Sequence, residues 1–172
     1  MKIKKSDIEK TLSEILSGRE ERVRTRDEHL SENVFACQVT LNIPGYPKRM
    51  PNDEKAVEKF VRTFIKKWGS DQFCEKRITN AAGVCLIGFF AGDLVDAQRA
   101  KEIAVSIEEW TSEGRIFDID IIVPEKTISR SDLGLPSRTC LLCEKPAKEC
   151  ARDQSHSYKD LRTAIEKLIK NI

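Results

Sequence analysis

No apolar run in this sequence approaches the roughly 20 residues that a membrane-spanning helix needs, so no span is expected. No strong charge of one sign is present either. The formal charge is +2, although 34% of the residues are charged. That balance argues against a chain that coats nucleic acid by bulk charge. The start, "MKIKKSDIEK", is basic but has no apolar stretch behind it, which argues against a secretory signal and for the cytoplasm. Histidine is scarce, with only His29 and His156. There is no internal repeat and no low-complexity tract. What remains is one domain over residues 1–172, large enough for a real core.

Cysteine is not scarce. Three of the six, Cys140, Cys143 and Cys150, lie within eleven residues. In a reducing compartment such crowding points to metal binding or free thiols rather than disulfides.

The apolar pattern divides the chain into three parts. Residues 1–30 form an N-terminal helical segment. Ile8, Leu12, Ile15 and Leu16 make an apolar stripe, and Gly18 is expected to end that helix. Beyond it, a helical reading puts Arg19, Arg22 and Arg26 on one face, with Glu20, Glu21, Asp27 and Glu28 interleaved. Residues 33–133 carry the core. "NVFACQVTLNI" alternates, with Phe35, Cys37, Val39, Leu41 and Ile43 on one face. A helix follows through Val57, Phe60, Val61, Phe64 and Ile65, ending at Gly69. Two strands, a helix through Ala97, Ala100 and Ala104, and the strand "IFDIDIIV" complete a β-α-β-β-α-β order. This is the ferredoxin-like arrangement, an α+β fold with a mostly antiparallel sheet and its helices on one face. "PEKTISRSDL" reads as an added hairpin arm or edge strand. Residues 134–172 carry the cysteine loop and a last helix through Leu161, Ala164, Ile165, Leu168 and Ile169.

The strand "FDIDIIV" poses the chemical question. Asp118 and Asp120 share a face, about 7 Å apart by the strand rise. Phe117, Ile119 and Ile121 take the other face, and Ile116 is expected on the aspartate side. Paired carboxylates can hold Mg²⁺ against a phosphate chain. Two solvated acids are the plainer reading. Arg115 just before them is a natural phosphate fork. Cys140, Cys143, Cys150 and His156 match the spacing of a structural zinc site. Three reduced thiols beside a histidine satisfy the same sequence. His29 reads as a surface histidine.

Three segments together, "SGREERVRTR", "GRIFDID" and "PSRTCLLCEKPAKECARDQSH", resemble the holo-acyl-carrier-protein synthase of citrate lyase, also called apo-citrate lyase phosphoribosyl-dephospho-CoA transferase. The resemblance implies a nucleotidyl-type transfer. The 2′-(5″-triphosphoribosyl)-3′-dephospho-CoA group would be joined to a serine of the apo acyl carrier protein (gamma) subunit of citrate lyase, with release of pyrophosphate. It also implies roles. Asp118 and Asp120 would hold Mg²⁺, and Arg115 would steady a phosphate. Arg19, Arg22 and Lys48 would line the polyphosphate. Arg138 and Arg152 would reach the nucleotide or the carrier. The reading from another class is a zinc-stabilised binding module that presents its sheet to RNA or a protein. An RNA-binding sheet would show aromatics where this one shows aspartates, and no nucleic acid is expected as a partner.

Overall fold

The computed structural model describes residues 5–70, 73–170 and 172. In chain order, helix α1 (Lys5–Asp27) precedes strand β1 (Val34–Leu41), α2 (Asp53–Trp68), β2 (Cys74–Asn80) and β3 (Gly83–Ala91). Helix α3 (Leu94–Trp110), β4 (Phe117–Val123) and β5 (Lys126–Ile128) follow, then α4 (Ala147–Arg152) and α5 (Tyr158–Lys170). The sheet order is β2-β3-β1-β4-β5, and every neighbouring pair is antiparallel. Without the short edge strand β5, this is the ferredoxin-like order. Among the described residues, no helix is long and apolar enough to cross a membrane.

Period-two alternation builds the main core. Phe35, Cys37 and Val39 of β1 and Phe117, Ile119 and Ile121 of β4 pack under α2 and α3, against Phe60, Phe64, Ala97, Ala100 and Ala104. Ile165 and Ile169 of α5 close the same layer. β3 is an inner strand buried on both faces, which is why "VCLIGFF" is a continuous apolar run. The ends of the two crossover helices are made locally. Gly69 adopts φ 84° and donates its N–H to Ile65. Asp93 and Asp96 exchange bonds in a capping box at the start of α3.

Two expectations change. First, Gly18 does not end a helix, because α1 runs continuously through it. A Cβ there would lie 2.5 Å from Asn80 Oδ1, so glycine permits close approach of α1 to the end of β2. The seat of α1 is Ile15, Gly18 and Arg22, while Ile8, Leu12 and Leu16 are exposed. The helix therefore covers part of the face expected to be open. Beneath that half lie Ala36, Ile78, Cys85, Ile87, Phe89 and Ile122, and His29 stacks on Phe89. Second, Ile116 belongs to the main core and not to the aspartate face. Residues 113–116 form a 3₁₀ turn and the strand starts at Phe117. Gly114 makes that turn possible, since a Cβ would sit 2.2 Å from the Ile107 carbonyl oxygen.

Candidate active site

The half of the sheet that α1 leaves uncovered is polar. Asp118 pairs across from Thr40 and Asp120 from Gln38, all four side chains on the face opposite α2 and α3. β5 pairs only with Ile121–Val123, so the edge of β4 beside the aspartates has no strand neighbour. Lys101, buried on α3, reaches round that edge and donates to the Ile119 carbonyl at 2.6 Å. A cleft of about 420 Å³ opens there, lined by Asp118, Asp120, Lys101, Glu108, Arg130 and Arg138.

The two acids differ. Asp118 is exposed, with Arg138 Nη1 at 3.9 Å. Asp120 is half-buried. Burial first, and the Asp118 charge second, raise its carboxyl above the ordinary range, against the pull of Lys101 and Arg138. The repulsion within the pair is thus met by solvent and arginine at one acid and by a firmer hold on the proton at the other. Arg138 is itself fixed, because its Nη2 lies 2.5 Å from the buried Glu108, which also pairs with Arg130.

The cysteine segment sets Arg138 in place. Arg138 to Ala147 fold into a small hairpin, with Ala147 N–H on the Arg138 carbonyl (2.8 Å) and Cys140 N–H on Lys145 (2.7 Å). Helix α4 then returns Cys150, and His156 follows. The four ligand atoms of Cys140, Cys143, Cys150 and His156 lie within 4.8 Å of one another. Cys143 Sγ is 3.4 Å from Cys150 Sγ and 3.3 Å from His156 Nε2. Tetrahedral ligands at zinc–sulfur distance would stand about 3.8 Å apart, so the cluster can hold a metal. Burial pushes the Cys140 thiol up, but the N–H groups of Leu142 and Cys143 together with the thiols of Cys150 and Cys143 bring it below its usual value. Ser157 caps α5 immediately afterwards, accepting from Asp160 N–H at 3.1 Å and donating to its carboxylate at 2.7 Å.

The other named residues fall into distinct places. Arg115 points into the cysteine hairpin, donating to the Cys140 carbonyl and to Thr139. It lines a second cavity of about 220 Å³ with Cys140, His156 and Tyr158. That cavity shares Asn42, Arg138, Ala147 and Ala151 with the aspartate cleft. Arg152 is exposed at the end of α4, and Lys148, one turn earlier, lines the cleft instead. Arg26 turns to Asp27 (2.7 Å). Arg22 is buried at 8% exposure, donates Nη2 to the Gly83 carbonyl (3.1 Å), and lies near Cys85. Lys48 donates to the Ile43 carbonyl at 2.7 Å; burial, then the charges of Arg19 and Arg162, lower its pKa. Among the described residues only two buried side-chain polar atoms have no partner, Arg22 Nε and Gln38 Oε1.

Lys101, Glu108, Arg130 and Arg162 were not anticipated. A signal existed for the first two. Ala97, Lys101, Ala104 and Glu108 share one stripe of α3, and a charge on an alanine stripe that faces a sheet must find a buried partner.

Residues 10–172 match the family model described as apo-citrate lyase phosphoribosyl-dephospho-CoA transferase. A Streptococcus pyogenes protein named probable apo-citrate lyase phosphoribosyl-dephospho-CoA transferase is 31% identical over 92% of this chain and 84% of its own length. A Vibrio cholerae protein of the same name is 29% identical over 94% and 93%. A Citrobacter koseri apo-citrate lyase phosphoribosyl-dephospho-CoA transferase is 30% identical over 92% and 88%. With the match spanning the acid-pair strand, the cysteine hairpin and most of α1, the chain belongs to the apo-citrate lyase phosphoribosyl-dephospho-CoA transferase family.

Proposed function

We propose that this protein transfers the phosphoribosyl-dephospho-CoA group from its triphosphate precursor to a serine of the apo acyl carrier protein, the gamma subunit of citrate lyase, in the cytoplasm. The observation that carries the reading is the acid pair at the unpaired edge of β4, with Arg138 fixed beside it. The serine Oγ attacks the α-phosphorus, the bond to the β-phosphate oxygen breaks, and pyrophosphate leaves. Asp120 would take the serine proton. Arg138 and Lys148 meet the charge that builds on the phosphate oxygens. Arg19, Arg22 and Lys48 hold phosphate charge of the precursor further along the sheet. Arg115 acts through the Cys140 hairpin, keeping Arg138 at the cleft.

The exposed Asp118 beside Asp120 suits an oxygen-ligated cation. The pair would hold Mg²⁺, which neutralises phosphate charge when bound. Cys140, Cys143, Cys150 and His156 would hold a structural zinc, a closed set of four protein ligands.

The test is direct. The protein is incubated with apo acyl carrier protein, the triphosphate precursor and Mg²⁺, and the carrier is weighed by mass spectrometry. A mass gain equal to the precursor less pyrophosphate is expected. An unmodified carrier would overturn the reading.

A further inference from the structure

We propose that Arg19, Arg22, Lys48 and Arg162 form a second anion subsite, separate from the acid-pair cleft, that takes the diphosphate of the dephospho-CoA moiety. The proposal rests on the transfer reading above, because that precursor carries two phosphate chains, the reacting triphosphate and the diphosphate leading to the pantetheine arm.

The first argument is the character of the four cations. Three of them bond main-chain carbonyls. Arg22 bonds Gly83, Lys48 bonds Ile43, and Arg162 bonds Pro44 and Pro47 at 3.1 and 2.8 Å. Among the described residues, no carboxylate forms an ion pair with any of them. Glu21 lies near Arg22 but accepts from Asn80 Nδ2 at 2.8 Å. The arginines of the other cleft are neutralised instead, with Arg130 on Glu108 and Glu109, and Arg138 on Glu108 and Asp118. Cations gathered without acids are costly unless an anion joins them.

The second argument is Arg22 Nε. It is a charged donor on a side chain more than nine-tenths buried, and it has no acceptor. Nε itself is closed to solvent, so a phosphate oxygen would complete it once the guanidinium turns toward the exposed Arg19, and guanidinium forks are suited to that group. The lowered pKa of Lys48, with burial as its chief cause, is consistent with cations crowding one another at this place.

The third argument is position. Cys85 on β3, beside Arg22, pairs across from Thr40 on β1, and Thr40 pairs across from Asp118 on β4. Cys85 and Asp118 therefore stand roughly 10 Å apart, two strand spacings, so Arg22 borders the same face as the acid pair, while Lys48 and Arg162 join it from the loop that follows β1. Thr40 and Gln38 form the floor between them, and Gln38 Oε1 is the other unpartnered atom. The acid-containing cleft suits the phosphate that reacts, where a proton and a divalent ion are handled. The carbonyl-bound cluster suits a diphosphate that is only held.

The experiment titrates dephospho-CoA, without divalent metal, into the full-length protein by calorimetry. Inorganic triphosphate with Mg²⁺ is titrated in parallel. Arg19→Glu and Arg162→Gln should each weaken dephospho-CoA by about tenfold or more, the usual cost of a charge-assisted contact, and leave triphosphate affinity nearly unchanged. Asp118→Asn should do the reverse. Arg19 is exposed and, among the described residues, makes no side-chain hydrogen bond, so its variant should keep the fold. Equal dephospho-CoA affinity in wild type and both variants, or no binding to the wild type, would overturn the subsite even if the carrier is modified in the mass assay. Weakened binding in the variants with an unmodified carrier would keep the subsite and remove the transfer reading.

Discussion

The two faces of this sheet are written by the same strands and serve opposite ends. Under α2, α3 and α5, alternate residues of β1 and β4 are aromatic or branched apart from Cys37, and the layer is buried. Phe60, Phe64, Trp68 and Phe90 contact one another ring to ring. On the reverse face, the residues between them are alanine, glutamine, threonine and aspartate, with Ile122 at the covered end. One face fixes the backbone so that the other can hold charges two residues apart without collapsing. A rigid strand is a better support for such groups than a loop.

The sharpest way to break this division is in the buried layer. Phe64 is 2% exposed and touches three other rings. Phe64→Ala should cost about 3–5 kcal/mol, which for a chain of this size lowers Tm on the order of 10 °C. Equilibrium denaturation measures it. Any residual transfer at low temperature should show an unchanged pH profile, because the acids are on the other face.

The reverse face should respond with opposite signs in activity and stability. Asp118→Asn and Asp120→Asn should each reduce transfer by at least about two orders of magnitude, roughly 3 kcal/mol in the transition state. Asp120→Asn should also raise Tm at neutral pH. The folded carboxyl has a raised pKa, so the folded state holds its proton more tightly than the unfolded chain. At acid pH both states are protonated and Asp120 costs nothing. As pH climbs through the ordinary aspartate range the unfolded chain ionises first and stability falls, until the pH passes the raised folded value. Above that folded value the full cost is present, and asparagine removes it. Catalysis needs the carboxylate, so wild-type activity should decline at acid pH, and bound Mg²⁺, which favours the ionised pair, should hold that decline below the value of the metal-free fold. Thermal melts and rates across pH 4–8 check both signs.

The fold was legible because its signal is periodic. β1, α2, α3 and α5 each bury the stripe that the sequence marks, and the βαββαβ order follows from them. Arg22 shows why the rest was not. Its charge made it look like a solvated helix face, and Gly18 looked like a helix end, yet both are part of the seat of α1. Burial of a guanidinium on the Gly83 carbonyl is a tertiary fact that no helical wheel contains. Of the candidate site, Asp118, Asp120 and the Cys₃His set could be read from spacing. Glu108 and Arg130, which orient Arg138, come from elements far apart in sequence, and only Glu108 left a local trace on its alanine stripe.

The cysteine hairpin belongs to neither face and tests how independently the site is held. One zinc per chain is expected in protein purified without chelator, on the four-ligand logic. Cys143→Ser should abolish it and lower Tm on the order of 5 °C, about 2 kcal/mol. The loss should be smaller than for Phe64→Ala because the sheet keeps its core. Transfer should weaken through a loosened Arg138, while the Mg²⁺ requirement of the remaining activity stays as it was. Metal-free protein with full stability would show that the three thiols and the histidine pack without an ion.

The smallest effect concerns the clamp that seats α1. Gly18→Ala would ordinarily stabilise a helix interior by about 1 kcal/mol. Here the new Cβ would displace Asn80, whose side chain donates to the Gly18 carbonyl (3.1 Å) and Glu21 (2.8 Å) and accepts from Ala82 N–H (2.9 Å). Losing those bonds, at about 1 kcal/mol each, outweighs the gain in helix propensity, so Gly18→Ala should destabilise by about 1–2 kcal/mol. In an Asn80→Ala background the obstruction is gone, and the same substitution should become neutral or stabilising. The difference between the two backgrounds is the coupling energy of the clamp, read from a double-mutant cycle in denaturant. Equal effects of Gly18→Ala in both backgrounds would mean that α1 is seated by Ile15 and Arg22 alone. The polar half of the sheet would then owe its boundary to that buried arginine and not to the glycine.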